Sequence, residues 1–233
     1  MRPATAETPP TNSRRTRALL RIARHLESVY GTRRKPRREP LDELIHTILS
    51  QSTADANRDR AWKALRERYP DWEAVRGASV EEIEETIRIA GLAGQKSRTI
   101  RGMLERLHEE RGAATLDHLR EMHPEKALSY LCGFRGVGVK TAACVLCFSL
   151  GQPIMPVDTH VHRLAVRLGW VPAGASAARA HRSLNELVPP RLRYSLHVQL
   201  IEHGRRVCTA RRPACGGCPL AAACPRIGVE DPR

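Results

Sequence analysis

The chain has 233 residues, 41% of them hydrophobic, which is enough to bury a core in one large domain or two small ones. No apolar run approaches bilayer-spanning length, and prolines, threonines and arginines interrupt the basic N-terminus where a secretory core would sit, so cytoplasmic residence is expected. The net charge of +14, from 39 Lys+Arg against 25 Asp+Glu, points to a polyanionic partner held by salt-sensitive phosphate contacts, although an arginine-rich surface on an ordinary soluble protein has the same balance.

Residues 1–13 are Pro- and Thr-rich without an apolar period and are expected to form a disordered tail. From Arg14 a helical stripe of Leu19, Leu20, Ile22, Ala23 and Leu26 follows, ended near Gly31. The basic connector Thr32–Pro40 carries two prolines that stop the helix from continuing. Helical patterns then cover Leu41–Gln51, Ala54–Tyr69, Asp71–Gly77 and a segment opened by Ser79 and Glu82, which have capping-box spacing. Further patterns run over Gln95–Glu110, Thr115–Met122, Pro124–Leu131, Val139–Leu150, Thr159–Leu168, Ser176–Leu187 and Arg191–Val207. No stretch alternates as a strand does and no repeat is evident, so a compact all-α architecture is expected.

At Phe134–Ala142 one helix ends, Gly136 and Gly138 follow two apart, and a new apolar helix starts at once. Glycines there let the backbone approach a ligand, and the helix start supplies unpaired amides that suit a phosphate, with a plain helix–helix turn as the alternative. Lys140 lies in the first turn of that helix among Val137, Val139 and Ala142. The dipole and the apolar setting disfavour a cation there and favour the neutral amine a nucleophile requires; a simple phosphate contact is the other reading. Asp158 precedes the stripe Val161, Leu164, Ala165 and Leu168, as an N-cap would, and an ionised carboxylate so placed can also stabilise positive charge.

Cys208, Cys215, Cys218 and Cys224 are spaced C-x6-C-x2-C-x5-C in a segment with too few large apolar residues to fold by packing. One metal centre fits four thiols so close in sequence, and spacing alone leaves zinc and an iron–sulfur cluster both open. Arg205, Arg206, Arg211 and Arg212 surround the cluster and suit phosphate. Cys132, Cys144 and Cys147 read instead as small core residues.

The run Gly136–Gly169 resembles the helix–hairpin–helix and following Gly/Pro…Asp loop of the endonuclease III family, and the similarity extends from about Arg14 to Cys224. The resemblance implies an all-α, two-domain helix–hairpin–helix DNA glycosylase fold. A six-helix domain would occupy 36–152, with the hairpin at about 125–151, and a discontinuous iron–sulfur cluster domain would take 14–35 and 153–233. It implies Lys140 as the nucleophile, Asp158 as the essential carboxylate, and Cys208, Cys215, Cys218 and Cys224 as ligands of a structural 4Fe-4S cluster. It also implies Gly136 and Gly138 as phosphate-binding positions and Gln51, Leu92 and His160 as residues entering the DNA.

Three places depart from the family pattern. Phe134 and Arg135 stand for Leu-Pro, the glutamine of the 44–57 segment lies one place early at Gln51, and Ala93-Gly94 replaces Tyr-Asn after Leu92. The implied activity is a bifunctional DNA glycosylase/AP lyase removing oxidised pyrimidines. Its partner would be double-stranded DNA with a damaged base or abasic site, bound by a monomer in the cytoplasm at the nucleoid, with no membrane association. Two rivals are a monofunctional adenine-removing glycosylase, whose branch usually lacks this lysine and carries an extra C-terminal domain, and a non-catalytic DNA-binding module.

Overall fold

The computed structural model describes residues 12–32, 35 and 38–233. The described residues form two compact units, one from residues 12–32 and 157–233 and the other from residues 35 and 38–156. Every regular element among the described residues is helical, and none of these helices is long and apolar enough to cross a membrane. Residues 1–11 of the expected tail lie outside the described residues, as do 33, 34, 36 and 37 of the basic connector.

In the first unit, α1 (Asn12–Tyr30) starts two residues before the expected Arg14 and buries Leu19, Ile22 and Leu26. Gly31 ends it in the left-handed region at φ 68°, its amide donating to the Glu27 carbonyl at 2.8 Å. The chain returns to this unit with α9 (Thr159–Arg167), α10 (Ala177–Leu187) and α11 (Arg193–Arg206). The last of these packs on both α1 and α9, and Gln199 donates to the Gly31 carbonyl at 2.8 Å, closing the far end of α1.

The second unit holds α2 (Pro40–Ser50), α3 (Asp55–Arg68), α4 (Trp72–Gly77), α5 (Val80–Ile87), α6 (Ala93–Arg111), α7 (Pro124–Cys132) and α8 (Val139–Phe148). The unit thus has seven α-helices, one more than the six expected, and the shortest is the six-residue α4. Pro40 at the start of α2 and Asp42 and Glu43 in its first turn suit a helix N-terminus. The capping box at α5 forms as expected: the Ser79 amide donates to Glu82 at 2.8 Å and the Glu82 amide to the Ser79 hydroxyl at 3.2 Å. Leu44, Ile45, Ile48 and Leu49 of α2 join Ala142, Ala143, Val145 and Leu146 of α8 in one core.

The expected helix at Thr115–Met122 is a single 3-10 turn, Asp117–Arg120. The Thr115 hydroxyl donates to the Asp117 carboxylate at 2.7 Å and accepts from the Asp117 amide at 3.2 Å. This local loop competes with helical bonding at the point where the helix would nucleate.

Candidate active site and cysteine cluster

The hairpin joins α7 to α8. Phe134, standing where the family has leucine, is 3% exposed and meets Tyr130 edge-on with ring centroids 5.3 Å apart. The Arg106 guanidinium lies 4.6 Å over the Phe134 ring and donates to the Gly133 carbonyl at 2.9 Å. A cation–π contact and a cap on the last carbonyls of α7 therefore anchor the turn together. Arg135 is exposed. Gly136 sits at φ 78°, and a Cβ there would lie 2.8 Å from the Thr99 hydroxyl and 3.1 Å from its methyl, so both conformation and space demand glycine.

Gly138 is different. It has an ordinary extended backbone with open space where a Cβ would be, and no side chain caps the helix it starts. The first amides of α8 are thus left for water or an anion. Lys140 is the second residue of α8 and is half-buried, and Thr141 through Cys147 behind it are buried. Of the three apolar neighbours expected for it, Val137 and Ala142 are buried and Val139 is 37% exposed.

Two residues on α2 or its end attend this hairpin. Gln51 follows α2 and donates to the Gly136 carbonyl and to the Thr141 hydroxyl, each at 3.3 Å, so the glutamine displaced by one place in sequence still reaches the hairpin. Glu43 is 3% exposed. Burial pushes its carboxyl up, opposed by Arg38 at 3.1 Å and, to a smaller degree, by the charge of Lys140. Sequence reasoning passed over Glu43 because an acidic residue in a first helical turn is ordinarily explained by the dipole.

Leu92 precedes α6 in the left-handed region at φ 51° and is 57% exposed. A branched residue held in that conformation with its side chain in solvent costs energy that packing does not return, the pattern expected at a functional position. The residue that holds this loop is Lys96. It is 2% exposed and donates to the carbonyls of Leu49 and Ala90, each at 2.9 Å, and to the Thr53 hydroxyl at 2.6 Å.

Burial lowers the Lys96 amine to about 8, which leaves the three-donor ammonium at neutral pH facing three acceptors. Lys96 thereby ties the end of α2, the Gln51 loop and the turn leading into Leu92. Lys96→Met removes all three bonds and deprives the buried Leu49 carbonyl of its Lys96 donor, while Ala90 keeps the Thr53 hydroxyl, so a loss of about 2–4 kcal/mol in urea unfolding is expected. An unchanged urea midpoint would mean that the loops do not depend on the staple.

In the other unit Asp158 caps α9, accepting from the Val161 amide at 2.8 Å. His160 packs over α11: a Cβ on Gly204 would lie 2.9 Å from its Nδ1, and Arg163 is 3.1 Å from the same nitrogen. Arg163 donates to the carbonyls of Gly204 and Cys208, each at 2.9 Å. Arg167, 7% exposed, donates to the carbonyls of Thr209 at 2.7 Å and Ala210 at 2.9 Å and to Cys208 Sγ at 3.2 Å. Two arginines from α9 thus secure the start of the cysteine loop. Cys144 and Cys147, at 2% and 1% exposure, are core residues.

Cys208, Cys215, Cys218 and Cys224 are half-buried, form no disulfide, and line one pocket with Leu164, Leu168, His203 and Leu220, enclosing about 430 Å³ with its mouth. The four thiols line an apolar pocket, and N–H groups of Leu220 and Arg167 directed at Cys218 and Cys208 Sγ suit thiolates that ligate an iron–sulfur cluster.

Residues 45–190 match the HhH-GPD superfamily of base excision DNA repair proteins, and residues 208–224 match the iron–sulfur binding domain of endonuclease III. The chain is 36% identical over 187 residues to endonuclease III of Synechocystis, covering 80% of this chain and 81% of that one. It is 38% identical over 171 residues to the DNA glycosylase/AP lyase ROS1 of Arabidopsis thaliana, covering 66% of this chain. It spans 12% of the length of that relative and 63% and 9% of two other Arabidopsis relatives. Among solved structures, a non-covalent endonuclease III–DNA complex superposes with a TM-score of 0.79 at 27% identity, covering 91% of this chain and 95% of that one.

Proposed function

The chain belongs to the endonuclease III family of helix–hairpin–helix base excision repair proteins, and on that premise we propose that it is a bifunctional DNA glycosylase/AP lyase acting on oxidised pyrimidines in duplex DNA. The observation that carries the reading is the half-buried Lys140 on the second position of a helix whose first amides have no side-chain cap. Its site is the chromosome in the cytoplasm, and it acts as a monomer. The hairpin amides at Gly136 and Gly138 bind a phosphate without reading a base. Leu92 wedges into the stack, Gln51 fills the space left by the extruded nucleotide, and His160 makes a further DNA contact.

The damaged nucleotide leaves the stack first, because its C1′ is shielded within the duplex. The Lys140 amine, in its neutral form, attacks C1′. The Nζ–C1′ bond forms as the glycosidic bond breaks, and the electron pair departs with the base, which takes up a proton. The Asp158 carboxylate stabilises the positive charge that develops at C1′ or assists proton transfer. Ring opening gives a Schiff base. Loss of a C2′ proton then expels the 3′ phosphate and cuts the strand. The 4Fe-4S cluster supplies order to residues 208–224, where the arginines of the loop meet phosphate.

Duplex oligonucleotides carrying one oxidised pyrimidine, one abasic site or no lesion test this reading directly under borohydride. Covalent adducts and strand cleavage are expected with the first two and neither with the third. Base release without an adduct would indicate a monofunctional glycosylase. Salt-sensitive binding with neither product would indicate a non-catalytic DNA-binding module.

A further inference from the structure

The cluster pocket contains a side-chain contact that the repair chemistry leaves unused. His203 on α11 is 1% exposed, and its Nε2 lies 3.6 Å from Cys218 Sγ. Its other ring nitrogen, Nδ1, lies 2.8 Å from the hydroxyl of Tyr30, the last residue of α1 and 173 positions away in sequence. The two rings meet nearly edge-on, centroids 5.9 Å apart at 72°, and the Arg206 guanidinium covers Tyr30 at 5.8 Å from its ring.

The proton positions follow from the chemistry of the sulfur. A cysteine that ligates iron is a thiolate and can only accept a hydrogen bond. The nitrogen facing it must then carry the hydrogen. A buried neutral imidazole has one ring proton, so Nδ1 is the bare nitrogen and the Tyr30 hydroxyl must donate to it. The chain of donors runs one way, from Tyr30 O–H to His203 and from His203 Nε2–H to Cys218. The Leu220 amide, 3.4 Å from the same sulfur, adds a second donor.

We propose that Tyr30 and His203 form a hydrogen-bond relay that fixes the Cys218 thiolate and raises the reduction potential of the cluster it ligates. Hydrogen bonds to a ligating sulfur draw charge from it and favour the more negative, reduced form of a cluster. Tyr30 and His203 are positioning residues here and touch no DNA in this role. The relay also gives α1 a reason to close on α11 at its last residue, since a helix ending one turn earlier could not set the imidazole tautomer.

The test uses the purified full chain with its cluster and the variants Tyr30→Phe and His203→Phe. Tyr30→Phe removes one oxygen and keeps the ring, so circular dichroism should match wild type. Loss of the fixed tautomer should lower the cluster potential, read by voltammetry as at least a threefold change in the ratio of oxidised to reduced cluster at fixed potential. His203→Phe should shift it further in the same direction. In air, the visible absorbance of the cluster should fade at least threefold faster in both variants. A Tyr30→Phe protein with unchanged potential and fading rate overturns the relay, as does a potential that rises. If Tyr30→Phe alone were to misfold, a His203→Phe protein that folds and keeps the wild-type potential would overturn it equally.

Discussion

Lys140→Ala is expected to reduce the borohydride-trapped adduct to background and strand cleavage by on the order of 10³-fold or more, the scale on which enzymes lose turnover when a positioned nucleophile is removed. DNA binding should persist. The hairpin amides, Gly136 and the Gln51 contacts are all independent of the lysine side chain, and losing one cation removes at most about one phosphate contact from the salt dependence. The fold should persist too, because Lys140 is half-buried at a helix start and the core of α8 begins behind it at Thr141. A variant that traps as well as wild type would move the nucleophile elsewhere. The buried Lys96 is no substitute, since its amine is already committed to three acceptors.

The features legible in the sequence were those whose cause lies within a few residues. Ser79 and Glu82 form their capping box because both partners belong to one helical turn. Gly136 announces a special backbone position, and its positive φ is local. That it must also clear Thr99 is a tertiary fact that no spacing reveals. The helix expected at Thr115–Met122 failed for a reason that was present in the sequence but outweighed by the apolar period: a Thr-x-Asp pair that bonds to itself.

Contacts across long separations were not readable. Gln51 meets the hairpin over 85 residues, Lys96 joins segments 43 and 47 residues away, and Tyr30 meets His203 over 173. Lysine and histidine in a basic chain look like surface charge until burial shows otherwise. The replacement of Leu-Pro by Phe134-Arg135 belongs with these. The departure keeps the two glycines that bear the amides, and Phe134 anchors the hairpin through Tyr130 and Arg106, residues a local pattern cannot connect.

Asp158→Asn separates two roles that the aspartate combines. As the N-cap of α9 it accepts the Val161 amide at 2.8 Å, and asparagine caps a helix about as well as aspartate does. The substitution keeps the oxygen that makes this bond and removes only the negative charge, so the urea midpoint should correspond to a change within about 0.5 kcal/mol. Turnover should fall far more, by roughly 10²- to 10⁴-fold, if the carboxylate stabilises charge at C1′ or takes the amine proton. Asp158→Ala provides the contrast: it loses cap and charge together and should destabilise by about 1 kcal/mol in addition. Equal turnover in Asp158→Asn and wild type would reduce Asp158 to a structural cap. A turnover loss in Asp158→Asn at unchanged stability, with Lys140 intact, would assign the chemistry to the charge.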